Sequence, residues 1–288
     1  LKATFNIERY NSDSGRSSTF YQEYQLELDD SSTVLDGLVK IREEADGTLG
    51  FRCSCRSSIC GSCAMRVNGH ATLACNTKVV DVMPTSGAPI DVAPVGNMQV
   101  IKDLVVEFKP FWDKVGAVQP WLQPQGAEPE GEHLASNESM LHLASVMGCI
   151  MCGSCVSDCT VLKVDSNFLG PAALAKAYRF VADSRDDADN TRLDSLNEYG
   201  GIWDCTRCME CVEVCPKSVA PMDRIMALRD KAMEAGYTNT YGARHATAFS
   251  ELVEHGGTLD ELRLPIKTFG LFNLKEMLKL VPIGIRSQ

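Results

Sequence analysis

The sequence lacks any stretch approaching the run of about eighteen apolar residues that a membrane-spanning helix needs, and its first residues, LKATFNIERY, carry no basic flank followed by an apolar core. It therefore reads as a soluble chain. It also lacks an excess of positive charge: 28 Lys and Arg stand against 38 Asp and Glu, a formal net charge of -10. Phosphate backbones are bound by clustered cations, so nucleic acid is excluded as a partner. No nucleophile elbow, P-loop or dinucleotide glycine fingerprint is present, which argues against substrate chemistry on this chain alone. The five histidines, His70, His133, His142, His245 and His255, form no metal-like spacing and read as surface or structural residues.

What is abundant is cysteine, thirteen in 288 residues, grouped in 53–75, 149–159 and 205–215. A disulfide scaffold would be small and loop-rich, with bridges spread along the chain. Here long cysteine-free stretches of ordinary apolar content separate tight clusters, and clustering favours metal.

The length accommodates two domains. Up to residue 118 the pattern mixes strand and helix. Ala3, Phe5 and Ile7 alternate, as do Tyr24, Leu26 and Leu28, and both segments are expected as half-buried strands. Asp29 to Ser32 supply helix-capping residues ahead of the apolar stripe Val34, Leu35, Leu38, Val39 and Ile41. AMRV and ATLAC flank Asn68-Gly69 and His70, a hairpin signal, and IDVAPV reads as one more strand. Residues 119–139, rich in Pro, Gly and Glu, are expected as a linker. Residues 140–237 read as helical: Pro171 suits a first helical position ahead of Leu174, Ala177, Tyr178 and Val181, and Ile225, Leu228 and Ala232 repeat the stripe.

Within that second unit Cys149, Cys152, Cys155, Cys159 and Cys205, Cys208, Cys211, Cys215 share one C-x-x-C-x-x-C-x-x-x-C spacing, an internal repeat. Soft thiolates on a short loop suit the corners of an iron-sulfur cluster. The spacing matches two-cluster ferredoxins, in which the fourth cysteine of each run ligates the other cluster. Cys149, Cys152, Cys155 and Cys215 would then hold one cluster, and Cys159, Cys205, Cys208 and Cys211 the other. Tetrahedral zinc is the alternative, but it does not explain three cysteines in successive x-x steps twice over. In the first unit Cys55, Cys60, Cys63 and a distant Cys75 have the plant-type [2Fe-2S] spacing. Cys53 is left over and reads as a small buried apolar residue rather than a ligand.

The segments FRCSCRSSICGSCAMRVNGHATLAC, CIMCGSCVSDC, LGPAALAKAYRFVADSRD and CTRCMECVEVCPK together resemble the iron-sulfur subunit of succinate dehydrogenases and fumarate reductases. That resemblance implies an α+β chain: an N-terminal β-grasp [2Fe-2S] ferredoxin domain followed by an all-α ferredoxin-like domain with two further clusters. It implies electron relay between a FAD-containing flavoprotein subunit that reacts with succinate or fumarate and a membrane-side, quinone-linked partner. The expected location is peripheral, on the cytoplasmic side of the inner membrane. A cluster relay serving another flavoprotein or a heterodisulfide-type oxidoreductase is the alternative. Most members of the family have a non-cysteine at the place of Cys208 and carry a [3Fe-4S] third cluster; a thiolate there implies [4Fe-4S]. Thr160, the Trp-free VLKVDSNF and Thr206 replace residues usual at the quinone side. The continuation 238–288 carries GARHATAF and a stripe of Leu274, Met277, Leu278 and Val281, expected to contact a partner. With Cys208 it resembles the type E group, whose membrane-side partner is a CCG-motif, heterodisulfide-reductase-like subunit.

Overall fold

The structure is a computed structural model and describes residues 1–11, 16–126, 129–270 and 273. β1 (Lys2–Asn11) buries Ala3, Phe5 and Ile7 on one face, as the two-residue period of a strand dictates. β2 (Arg16–Glu27) lies antiparallel to it and turns Tyr24 and Leu26 into the same core. α1 (Val34–Lys40) packs Val34, Leu35 and Leu38 onto the sheet. Its cap is Thr33 rather than a residue of 29–32. Thr33 Oγ1 accepts from the Asp36 amide while the Asp36 carboxylate accepts from the Thr33 amide, closing a capping box that only this register allows.

β3 (Ala64–Val67) and β4 (His70–Leu73) form the expected hairpin, with Asn68 and Gly69 both at positive φ. After the short α2 (Val79–Val82), β5 (Ile90–Ala93) runs parallel to β1 and antiparallel to β3. β6 (Val100–Lys102) and β7 (Val105–Val106) complete a sheet ordered β4-β3-β5-β1-β6-β7, with β2 on β1. A mixed sheet crossed by a helix is the expected β-grasp arrangement. Arg9 locks its far end: the guanidinium is buried and meets Asp103 at 2.9 Å and Asp46 at 2.7 Å.

α3 (Lys109–Ala117) ends the first unit in sequence, yet it buries Phe111 and Val115, with Val118, in the core of the second. The remaining elements are helical: α4 (Asn137–Leu141), α5 (Ala144–Met147), α6 (Ser154–Ser157), α7 (Thr160–Val164), α8 (Pro171–Val181), α9 (Asp189–Leu196), α10 (Glu210–Glu213), α11 (Pro221–Glu234), α12 (Tyr241–Gly256) and α13 (Arg263–Phe269). α8 and α11, each opened by proline, pack against each other through the predicted stripes. GARHATAF falls in α12, which pairs with α13. The Leu274, Met277, Leu278 and Val281 stripe lies outside the described residues. No described helix is long and apolar enough to cross a membrane.

The DSRD segment explains how residues 119–125 are held. Asp183 is enclosed by Arg179 and Arg185, which keep its carboxyl well below the usual range, Arg185 contributing most. Asp186 pairs with Arg192, both side chains essentially without exposure. Asp186 also accepts from the Gln123 amide, and Arg192 donates to the carbonyls of Gln119 and Trp121. Breaking such a buried pair by removing one partner costs about 3–5 kcal/mol. D186A is therefore expected to lower the unfolding midpoint by several degrees and to open 119–126 to proteolysis, measured by thermal unfolding and limited digestion. An unchanged midpoint would contradict this role.

Candidate metal centres

The loop from Phe51 to Cys63 contains no described helix or strand, and positive φ at Arg56, Ser58 and Gly61 curls it so that its amides turn inward. The amides of Ser57, Ile59 and Cys60 donate to Cys55 Sγ at 3.3–3.4 Å, and that of Ser58 donates to Cys75 Sγ at 3.3 Å. Cys75 arrives from the other side, on the turn that follows β4. Consecutive amides of this one loop thus reach both Cys55 and Cys75, Cys60 is bonded to Cys55, and Cys63 feels Cys75 and Cys60, which groups the four residues. Bonds with Ser62 and Cys55 lower the exposed Cys60 thiol to about 6, whereas burial pushes Cys63 up to about 12. The amides that surround these sulfurs favour negative charge on them. Cys53 lies half-buried against the first core.

The repeated runs also repeat in backbone. Met151 and Gly153 flank Cys152 at φ 55° and 82°, and Arg207 and Met209 flank Cys208 at φ 58° and 69°. After each comes a one-turn helix, α6 or α10, and these two pack together. Left-handed backbone at non-glycine residues is costly and persists where the surroundings demand it. Here it wraps each run around a space.

The two spaces are shared between the runs. One cavity is lined by Cys149, Cys152 and Cys155 of the first run and Cys215 of the second. The other is lined by Cys205, Cys208 and Cys211 of the second run and Cys159 of the first. Electrostatic influence follows the same grouping: Cys149 feels Cys152 and Cys215, whereas Cys159 feels Cys208 and Cys205. Cys155 also feels Cys211, so the cages are neighbours. Burial holds the thiols of Cys149, Cys155, Cys159 and Cys211 above the ordinary value, Cys211 at about 12. Against the burial that would raise it, bonds from Thr160 and the Glu210 amide bring the exposed Cys208 below that value.

Four soft sulfurs and apolar walls, Ala172, Ala175 and Val219 in one cage and Phe168 and Ile225 in the other, suit iron-sulfur clusters. Among the described residues no three His, Cys, Asp or Glu side chains are close enough to share a single metal ion.

The first site abuts the second. A Cβ on Gly61 would lie 2.8 Å from Cys152 Cβ, and Cys152 packs into the core of the sheet unit. Asn97 fastens the junction by donating to the carbonyls of Val156, Ser157 and Cys159 at 2.8–3.1 Å, while the Ala71 amide donates to Asp158. Among the clustered cysteines only Cys60 and Cys208 are exposed, one in the first cage and one in the third; the middle cage has none. This junction left no spacing signal in the sequence, whereas the T-x-x-D spacing of Thr33 and Asp36 was the signal that marks the cap.

A 2Fe-2S iron-sulfur cluster binding domain model matches residues 4–113, and a 4Fe-4S dicluster domain model matches residues 145–219. The chain is 35% identical to the iron-sulfur subunit of 8-methylmenaquinol:fumarate reductase of Wolinella succinogenes, over 93% of this chain and 84% of that one. It is 39% identical to the fumarate reductase iron-sulfur subunit of Mycobacterium tuberculosis, over 78% and 90%. It is 37% identical to the succinate dehydrogenase iron-sulfur subunit of Paracoccus denitrificans, over 78% and 86%. A chain of the Sdh1 complex of Mycobacterium smegmatis in the apo form shares the fold, with TM-score 0.74 at 22% identity over 82% of this chain and 98% of that one.

Gly61 is at φ 73°, and its neighbours at Cys152 include the Cα, which cannot swing aside. G61A is expected to separate the loop from Cys152 and to speed hydrogen exchange in both 58–63 and 150–153. Exchange unchanged in 150–153 would contradict the close approach.

Proposed function

The chain belongs to the iron-sulfur subunits of the succinate dehydrogenase and fumarate reductase family, and from that premise we propose that it relays single electrons through three cysteine cages, between a FAD-containing partner acting on succinate or fumarate and a membrane-side, quinone-linked partner. The observation that carries this reading is the crossed lining of the two cavities, each with three cysteines from one run and the fourth from the other. The 2Fe-2S and 4Fe-4S domain matches cover the segments that contain the three cages.

In this reading Cys55, Cys60, Cys63 and Cys75 hold a [2Fe-2S] cluster. Cys149, Cys152, Cys155 and Cys215 hold a [4Fe-4S] cluster, and Cys159, Cys205, Cys208 and Cys211 hold a second. Bound clusters each take up and release one electron, which divides the two-electron chemistry of a flavin into single steps. The protein's part is to hold and space the sites. Loop amides donate to the first site's sulfurs, apolar walls keep water from the middle one, and the Gly61–Cys152 contact shortens the path between them. Exposed Cys60 with Ile59, and exposed Cys208 with Met209, make the two ends the places of exchange with partners. The flavoprotein meets the first end and the membrane partner the third, with the chain peripheral on the cytoplasmic face.

A fourth thiolate at Cys208, bonded by Thr160, favours [4Fe-4S] in the third cage over [3Fe-4S]. The Wolinella alignment leaves 7% of the chain uncovered, about 20 residues, fewer than 238–288 contains, so it reaches into the C-terminal helices. Cys208 together with the C-terminal continuation favours the type E group, and with it a CCG-motif, heterodisulfide-reductase-like partner.

Electron paramagnetic resonance with metal analysis of the anaerobically purified chain tests the reading. About ten irons per chain are expected, from two plus four plus four, with no oxidised [3Fe-4S] signal, and C208S should make that signal appear. A strong [3Fe-4S] signal in the unaltered chain, not caused by oxygen, would remove Cys208 from the ligand set. Zinc in place of iron would end the electron-transfer reading.

A further inference from the structure

Among the described residues three arginines are buried, Arg9, Arg192 and Arg229. Arg9 meets Asp46 and Asp103, and Arg192 meets Asp186. Arg229 on α11 differs. Its donors go to backbone carbonyls, Nε to Ile202 at 2.9 Å and Nη2 to Trp203 at 3.0 Å and Cys205 at 2.8 Å. Nη1 meets only the Met226 sulfur, at 3.9 Å. Among the described residues no carboxylate lies within ion-pair distance of it. Carbonyl dipoles satisfy hydrogen bonds, but a buried charge without a counter-charge is expensive.

The negative groups that act on it are Cys205 of the third cage first and, more weakly, Asp204, whose carboxylate accepts from the Gly200 amide, while Arg207 opposes them. Arg229 grips the carbonyl of that same cysteine, Cys205. Trp203 lies over the guanidinium, 5.3 Å from ring centroid to Cζ, and its indole is fixed by Asn197 Oδ1 at 2.7 Å. The C-terminal continuation presses on that ring from outside: a Cβ on Gly242 of α12 would lie 2.2 Å from Trp203 Cβ. Arg229 and Trp203 line a cavity of about 590 Å³ against α12, yet Arg229 itself is 6% exposed, and a charge acts further in a less polar surrounding.

We propose that Arg229 is a positioning residue for electron transfer, its buried guanidinium, bonded to carbonyls rather than to a carboxylate, serving as the counter-charge of the third cage and favouring the state with one more electron. This rests on the reading that Cys159, Cys205, Cys208 and Cys211 hold a cluster. α12 then has a role within the chain, closing Trp203 over that charge.

The test is redox potentiometry of each centre by electron paramagnetic resonance, with iron content, on the full chain and on R229Q and R229K. R229Q should shift the third centre to lower potential and leave the [2Fe-2S] centre unmoved, while R229K, which keeps the charge, should stay near the parent. If R229Q loses the third centre, R229K decides: a parental potential supports the counter-charge, and a lowered one overturns it. Equal shifts in both variants, or none in R229Q with iron retained, would also overturn it. A third centre missing from the unaltered chain would instead defeat the cluster reading itself.

Discussion

The exchange of the fourth cysteine between the two runs is the constraint on which the helical half depends. If each run closed on its own four cysteines, the halves of the repeat would be independent loops. With Cys215 facing Cys149, Cys152 and Cys155, and Cys159 facing the second run, neither cage is complete until both are in place. α6 and α10, each carrying a cysteine of its run, pack together, and α8 and α11 pack on each other and on that pair. Ligand binding at such sites is folding free energy, since a preformed cage rarely exists in the unfolded chain.

The sheet unit is organised by a different force. Its core is apolar and its far end is closed by the Arg9 pairs. The cluster loop is the exception: left-handed residues and inward amides give it a shape that its own side chains do not explain. Gly61 joins the two halves because only a residue without a Cβ lets that loop approach Cys152.

Much of this was legible in the sequence. Strict alternation marked β1 and β2, Asn68-Gly69 marked the hairpin, and proline at a first helical position marked α8. Cysteine spacing named the residues that now line each cavity. What could not be read has physical reasons. β6 and β7 are too short to show a period, and α3 packs with the second unit although it ends the first. The DSRD segment was visible as a marker, but not as the clamp on 119–125, because its partners are backbone groups far along the chain. Arg229 was invisible for the same reason: carbonyl acceptors leave no residue-type signature.

The crossed cages are tested most directly by crystallography of the anaerobically purified chain with anomalous scattering at the iron edge. Three separate groups of iron are expected: one beside Cys55, Cys60, Cys63 and Cys75, one between Cys215 and the first run, and one between Cys159 and the second run. Iron held by Cys149, Cys152, Cys155 and Cys159 alone, with Cys215 turned away, would contradict the exchange and with it the shared cages on which the rest is built.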